Sequence, residues 1–301
     1  EKTNAVVTLA AERALKEAKR ADRAQAAGNL LGPLHGLPVS VKDTIETAGV
    51  RTTAGDPNMV GHLPEQDAFT VARLRKAGAI VFAKTNAPLY GGDAQTYNEV
   101  FGVTNNPWDL TRSPGGSSGG SAAALAAGFT GLDVGSDIGG SVRNPAHYCG
   151  IFGHKPTHGR FPRYGGQAKP SYNSAGTSGP MSNDVRDSAI LSQALSGFDS
   201  RDPGSVKAPV PDYLSELDDG VEGMRIATTM TLGISDVNDD VEWEPCLAVP
   251  PLGPHHCQRE HDPKSRQKPE EQRHLSLLCL NHEEPETTSM RVAMKRVSRG
   301  L

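Results

Sequence analysis

The first part of the chain shows a helical pattern followed by a short apolar run. Apolar side chains recur at helical spacing over residues 4–27 and predict an amphipathic helix that ends near Gly28. The short run Val39-Ser40-Val41 predicts a buried strand, and Lys42 and Asp43 stand at its end. A lysine in that position is expected at the edge of the core.

A second unit repeats this order of elements. Apolar positions predict a helix over 68–77, a turn at Gly78 and a buried strand over 79–83. A further helix is predicted over 184–196, before a surface connection over 202–211. Helices that alternate with short apolar strands predict an α/β fold built on a layered sheet.

The middle of the chain is rich in glycine and serine. The segment 113–121 leads into a predicted helix over 122–128, and a second glycine-rich loop covers 135–141. Alanine-rich helical segments and charged residues separate the glycines. We therefore expect ordered loops here rather than a flexible linker.

Composition changes near Asp240. Only two of the 33 glycines follow that residue, whereas three of the four cysteines do. Prolines and charged residues dominate 241–301 and leave few apolar positions in any period, so this tail is predicted to be disordered or not native family sequence. The predicted organisation is one domain over 1–240 and an atypical tail. The chain also lacks an initiator methionine and is expected to be cut at its front.

Charge and hydropathy narrow the function classes. The net charge of -4 provides no basic surplus for phosphate groups, so neither nucleic acid nor a membrane is expected as a partner. No signal-like start is present, and a cytoplasmic location is predicted. The His255, His256, Cys257 and His261 group fits no standard zinc spacing, so no metal is predicted.

The glycine-rich loops allow three kinds of chemistry. A phosphate-binding loop would need a Gly-Lys-Ser/Thr sequence, which follows neither loop. The segment 115–119 matches G-x-S-x-G, but a nucleophile elbow needs an apolar strand before it, and 107–114 is not one. Loops whose backbone N–H groups converge on an oxyanion, with serines close by, fit best.

Three motifs carry a resemblance to the amidase signature family of serine hydrolases. The run 115–124 resembles the family's Gly/Ser-rich motif, 135–143 resembles its nucleophile loop, and 36–43 resembles its catalytic-lysine segment. The motifs occur in the family's order, and the resemblance covers roughly residues 4–240. It implies an α/β amidase signature fold, with a mixed central sheet covered by helices on both faces, here incomplete.

The resemblance also implies catalytic roles. Ser141 matches the acyl-forming nucleophile, Ser117 the bridging serine that follows a cis peptide bond, and Lys42 the base. A hydroxyl needs a proton acceptor within hydrogen-bond reach, and neutral Lys42 could accept through Ser117. This role requires a lysine pKa far below about 10.4, which burial would favour.

Further positions are implied around these three. Backbone N–H groups of Ile138, Gly139, Gly140 and Ser141 would face the oxyanion. By resemblance, the substrate pocket is lined by Gly91, Gly92 and Asp93, and the supporting residues are Ser118, Asp137 and Arg143.

Other chemistry-bearing residues are predicted to be structural. None of the histidines of the first 240 residues falls at a catalytic position of the matched motifs: His35, His62, His147, His154 and His158. Cys149 is expected to be a small core residue.

The expected activity is hydrolysis of a small-molecule carboxylic amide without a cofactor. The segment 93–102 resembles stand-alone bacterial-type amidases more than the glutamine-hydrolysing component of a tRNA-dependent amidotransferase, which stays the alternative. A catalytically inactive amidase fragment is a third hypothesis, because 241–301 does not resemble the family's C-terminal half. Assembly into a homodimer stays open.

Overall fold

A computed structural model describes residues 2–163, 176–215 and 217–220. Contacts group 1–217 into one compact unit and 218–301 into a second. Every helix and strand within the described residues belongs to the first unit. The predicted boundary near Asp240, the tail and its His255–His261 group lie outside the described residues.

The described ranges contain eight strands and five α-helices. The strands are β1 (Val6–Leu9), β2 (Pro38–Lys42), β3 (Ile80–Thr85), β4 (Tyr97–Asn98), β5 (Gly102–Val103), β6 (Leu132–Asp137), β7 (Phe152–Gly153) and β8 (Thr177–Ser182). The helices are α1 (Ala11–Ala26), α2 (Phe69–Lys76), α3 (Gly119–Ala126), α4 (Arg143–Cys149) and α5 (Val185–Leu195). None of these helices is long and apolar enough to cross a membrane.

Six of the strands form one mixed sheet in the order β1-β3-β2-β6-β8-β7. The three central strands β3, β2 and β6 are parallel, and the outer pairings are antiparallel. Strands β4 and β5 make a separate small ribbon. The parallel centre places the carboxyl ends of β2, β3 and β6 at the same edge of the sheet.

Helices cover both faces of this sheet. On one face, Val39 and Val41 of β2 lie in a core with side chains of α2 and α5. On the other face, α3 and α4 pack together around Leu125 and Val142. This arrangement confirms the predicted α/β class and the mixed central sheet. Strand β2 is buried on both faces: Val39 and Val41 lie in the apolar core, and the Ser40 hydroxyl hydrogen-bonds to Asp133.

Several predicted elements are confirmed and three need correction. Strand β2, strand β3, helix α2 and helix α5 lie where the patterns predict them, and Asp184 caps α5 by accepting from Arg186 N. The single helix predicted over 4–27 is wrong at its start, because 6–9 form β1 and pair with β3. Pairing along a sheet edge supplies backbone partners that local helical spacing does not reveal.

The other two corrections concern the glycine-rich middle. Helix α3 begins at Gly119, three residues before the predicted start. The loop predicted from Gly135 begins only after strand β6, which ends at Asp137. Local propensity assigns glycine and serine to loops. Here they lie inside α3 and β6, because their small size lets the helix and the sheet approach closely.

Gly120 shows this close approach most clearly. A Cβ atom built on Gly120 would lie 2.5 Å from the backbone oxygen of Asn86 and 2.8 Å from its Cα. Gly120 N also donates to Asn86 O at 3.2 Å. Helix α3 can therefore reach the end of β3 only with glycine at this position.

Gly120→Ala is expected to lower the free energy of unfolding by about 1 to 3 kcal/mol, because the added methyl group meets backbone that cannot rotate away. Urea unfolding followed by circular dichroism measures this change. Gly131→Ala is the matched control, since a Cβ there meets nothing within 4 Å. Equal stability of the two variants would contradict the close-packing explanation.

Candidate active site

The side chain of Lys42 is fully buried at the carboxyl end of the central strand β2. Its Nζ lies 2.6 Å from Ser117 Oγ and 3.1 Å from Ser136 Oγ. Ser117 lies just before α3, and Ser136 belongs to the neighbouring strand β6. The structure thus brings together two of the three predicted catalytic residues, which are 75 positions apart.

The buried environment changes the acidity of Lys42. Burial lowers the pKa of Lys42 to about 7, because the ammonium form loses its water. The carboxylates of Asp137 and Asp133 oppose this effect, and the guanidinium of Arg163 adds to it. A large share of the Lys42 side chains is therefore neutral near pH 7, as a proton acceptor must be.

Ser117 follows a cis peptide bond from Gly116, as the family resemblance implies. Gly116 lies against the backbone of the segment 93–95, where a Cβ would be 2.6 Å from the carbonyl carbon of Ala94 and 2.7 Å from Asp93 O. The absence of a side chain at Gly116 therefore lets the Ser117 loop contact the segment that carries Asp93.

Ser118 links this loop to the predicted nucleophile loop. Its backbone N–H donates to Ser141 O at 3.0 Å, and its hydroxyl donates to Ser136 O at 3.3 Å. A Cβ on Gly135 would lie 2.6 Å from Ser118 Oγ, so a larger residue there would displace the Ser118 side chain. These contacts hold the backbone of Ser141 against the residue that follows Ser117.

Asp137 organises the loop that carries Ser141. Its buried carboxylate accepts from Gly140 N at 2.8 Å, from Val142 N at 3.0 Å, and from Arg143 Nε and Nη2 at 3.0 and 2.9 Å. Burial alone would raise its pKa, but the hydrogen bonds from Arg143 and the backbone lower the pKa of Asp137 to about 2. Asp137 therefore stays ionised and clamps the loop at neutral pH.

Three of the four predicted oxyanion donors are available for a ligand. In the described part of the chain, the N–H groups of Ile138, Gly139 and Ser141 donate to no protein acceptor. The Gly140 N–H instead points to Asp137. Within the same residues, the Ser141 hydroxyl makes no hydrogen bond. Within the described residues, the protein itself therefore uses only the Gly140 donor of these four.

A cavity of about 850 Å³ is lined by residues of the segments 55–58, 88–93 and 97–99. Gly92 and Asp93 line it, whereas Gly91 and the predicted catalytic residues do not. Its other lining residues are mostly polar or aromatic: Gly55, Asp56, Pro57, Asn58, Pro88, Leu89, Tyr90, Tyr97, Asn98 and Glu99. The Asp93 carboxylate accepts a hydrogen bond from the Tyr97 hydroxyl at 2.9 Å, which lowers the pKa of Asp93.

Ser136 is a neighbour of Lys42 that the sequence analysis did not single out. It lies in the quoted glycine-rich motif, but a serine among glycines has no distinctive local signal. Only the pairing of β6 beside β2 brings its hydroxyl to the amine.

Among the described residues, none of those predicted to be structural hydrogen-bonds to the Lys42 amine. Cys149 is buried at the end of α4, and burial raises its pKa to about 12, which suits a core thiol. The side chain of His62 faces Glu46 at 3.3 Å, and His154 Nδ1 lies 3.4 Å from Ser192 Oγ. Among the described residues, no cluster of His, Cys, Asp and Glu could hold a metal ion.

Comparisons with known proteins agree with one family. A family model described as Amidase matches residues 1–245. The chain is 44% identical over 239 residues to the A subunit of the glutamyl-tRNA(Gln) amidotransferase of Geobacter sp. (strain M21), and the match covers 79% of this chain and 49% of that protein.

Solved structures are also similar. The native peptide amidase from Stenotrophomonas maltophilia superposes with a TM-score of 0.69 at 38% identity, over 74% of this chain and 47% of that chain. The A subunit of the glutamyl-tRNA(Gln) amidotransferase from Thermotoga maritima superposes with a TM-score of 0.61 at 44% identity, over 64% and 42%. The chain spans about half the length of the curated relatives that it matches.

Asp137→Asn is expected to lower the free energy of unfolding at neutral pH by on the order of 1 to 3 kcal/mol, because charge-assisted hydrogen bonds in the loop are lost. The lowered pKa of Asp137 means that this stabilisation is present above about pH 4 and disappears as the pH falls towards 2.

Urea unfolding at several pH values between 3 and 7 checks this expectation. The difference between wild type and variant should be largest at pH 7 and should shrink at pH 3. Asp22→Asn, on the exposed side of α1, is the control and should change little. A pH-independent difference for Asp137→Asn would rule out the charged clamp.

Proposed function

The chain belongs to the amidase family, and we propose that it hydrolyses a carboxylic amide to a carboxylate and ammonia or an amine, through an acyl-enzyme on Ser141. One observation carries this proposal. The amine of Lys42 is fully buried, lies 2.6 Å from Ser117 Oγ and has a pKa lowered to about 7. A buried amine in contact with a serine hydroxyl is suited to accept a proton.

The proposed first step transfers two protons in sequence among three groups. Ser141 Oγ bonds to the amide carbon and gives its proton to Ser117 Oγ, while the Ser117 proton passes to neutral Lys42. The carbonyl π electrons move to oxygen and form a tetrahedral oxyanion. The available N–H groups of Ile138, Gly139 and Ser141 are suited to stabilise this charge.

The intermediate then collapses. The oxyanion re-forms the carbonyl and the C–N bond breaks, and the ammonium of Lys42 returns its proton through Ser117 to the leaving nitrogen. Water attacks the acyl-enzyme by the same route in reverse and releases the carboxylate. The Lys42 pKa near 7 supports both directions, because the group can accept and return a proton at neutral pH.

A small-molecule amide is the proposed substrate, and Gly92 and Asp93, which the family resemblance assigns to the substrate pocket, line a cavity that Lys42, Ser117 and Ser141 do not line. Its volume of about 850 Å³ is within the range typical of small-ligand pockets. A cytoplasmic location stays a prediction from the sequence.

A fluorophosphonate is expected to add one phosphonyl group to the wild-type chain at Ser141, measured by intact-protein mass. Ser141→Ala should give no adduct. Lys42→Ala should react at least about 100-fold more slowly, because proton transfer by a positioned base contributes 10²- to 10⁴-fold.

Lys84→Met is the matched control for loss of a buried lysine. Lys84 is also fully buried, but its Nζ contacts Ile45 O, Thr47 and Thr52 rather than a serine near the loops. The folded control should react at close to the wild-type rate. An unreactive but folded wild-type chain would favour the inactive-fragment hypothesis, and wild-type reactivity of Lys42→Ala would remove the base.

A second candidate is the glutamine-hydrolysing component of a tRNA-dependent amidotransferase. The identity of 43% to 49% with amidotransferase A subunits favours it. The proposed chemistry at Ser141 is the same, and the two candidates differ in substrate and in the need for a partner protein.

Ammonia release from glutamine separates the two candidates. A stand-alone amidase is expected to hydrolyse simple amides without any added protein. An amidotransferase component is expected to release ammonia from glutamine only when its partner proteins are added. A coupled glutamate dehydrogenase assay measures the ammonia in both arms, with Ser141→Ala as the blank.

A further inference from the structure

A buried carboxyl group lies beneath Lys42 in a polar layer between the sheet and α3. Asp133 of β6 is fully buried, and it pairs in register with Ser40, two residues before Lys42 on β2. Ser40 Oγ donates to Asp133 Oδ2 at 2.5 Å. A fully buried acidic residue is rare unless it is paired with other groups.

The hydrogen bonds of Asp133 place it across β2. Strands β3 and β6 flank β2 on opposite sides, and Thr85 of β3 is the register partner of Lys42. Thr85 Oγ1 donates to Asp133 Oδ2 at 3.2 Å. This bond crosses β2 diagonally between the positions of Ser40 and Lys42. The carboxyl group therefore lies beside the section of β2 between Ser40 and Lys42, which is about 7 Å long.

The second oxygen of this carboxyl group is not satisfied. Asp133 Oδ1 is buried and has no hydrogen-bond partner within the described residues. Burial raises the pKa of Asp133 to about 6, while the hydroxyls of Ser40, Ser121 and Thr85 and the charge of Lys42 lower it. A carboxylate with few donors in a low-dielectric layer exerts a strong field on a nearby cation.

We propose that Asp133 is a positioning residue for the proposed reaction. Its negative charge, in the layer beneath the amine, stabilises the protonated form of Lys42 and so sets how strongly Lys42 holds a proton. This inference rests on the proposed function, in which Lys42 is the base. Without the Asp133 charge, the ammonium form of Lys42 would lose a stabilising neighbour. The proton that Lys42 must accept from Ser117 would then be held more weakly.

The other charged groups around the pair are few among the described residues. Lys42 is also faced by Asp137 of β6 and by Arg163, and Asp133 is also faced by Lys84 of β3. Asp137 is already paired with Arg143. Helix α3 and strand β8 contain no titratable side chain. Removal of the Asp133 charge should therefore be felt mainly at Lys42 and Lys84.

The test is a direct titration of Lys42 by NMR. Lysines are labelled with ¹³C at Cε, the Lys42 signal is assigned by its loss in Lys42→Met, and its shift is followed from pH 5 to 10. In Asp133→Asn the midpoint of Lys42 should fall by about one pH unit relative to wild type. The pH at which fluorophosphonate reactivity rises should fall by the same amount.

Two further variants supply a control and a second perturbation of Asp133. Asp43→Asn removes a carboxyl group that is also buried but faces Lys84, and it should leave the Lys42 midpoint unchanged. Ser40→Ala removes the hydroxyl 2.5 Å from Asp133 that helps to keep this carboxyl group ionised. The pKa of Asp133 should then rise, less of it should be charged near neutral pH, and the Lys42 midpoint should fall by a smaller amount, which provides a measurement if Asp133→Asn does not fold.

The outcomes separate the two proposals. A wild-type Lys42 midpoint near that of free lysine, about 10.4, would remove Lys42 as the base and with it the proposed function. A lowered wild-type midpoint that neither Asp133→Asn nor Ser40→Ala moves would overturn only the role of Asp133. An equal shift in Asp43→Asn would also overturn it, because the effect would then not belong to this carboxyl group.

Discussion

The desolvation of the Lys42 amine is the physical constraint on which the rest of this structure depends. An ammonium group without water is costly, so the fold must either supply polar partners or let the group lose its proton. Here it does both. Hydroxyls of Ser117 and Ser136 contact the amine, and burial lowers its pKa to about 7. The requirements of a stable core and of a proton acceptor are met by the same arrangement.

The glycines around the site follow from this constraint. To cover the end of β2, helix α3 and the loop before it must approach the sheet and the 93–95 segment at backbone distance. Gly116, Gly120 and Gly135 stand where a Cβ would meet backbone or Ser118 Oγ. Their primary role in the structure is therefore close packing. The N–H groups at 138–141 are a separate feature, arranged by the carboxylate of Asp137.

Two carboxyl groups on β6 have pKa values that are shifted in opposite directions. Asp137 accepts four close hydrogen bonds, two of them from Arg143, so it stays charged and holds a loop. Within the described residues, Asp133 has hydroxyl donors on one oxygen and none on the other, so its charge is poorly neutralised and its pKa is raised. The same residue type thus provides a rigid clamp at one end of the strand and a source of electric field four residues earlier.

The sequence by itself determined the α/β class, the buried strand at 39–41, helices α2 and α5, and the motifs that carry Lys42, Ser117 and Ser141. These features are local, because each hydrophobic pattern and each motif is formed by residues that are close in the sequence. Only the tertiary structure decided that 6–9 form an edge strand, that Ser136 and Asp133 lie beside or beneath Lys42, and that Gly140 N–H is committed to Asp137. The first two depend on which strands lie side by side, and strand order arises from long-range pairing that no local pattern encodes. The Gly140 bond spans only three residues, but the direction of that N–H follows from the conformation that the folded loop adopts.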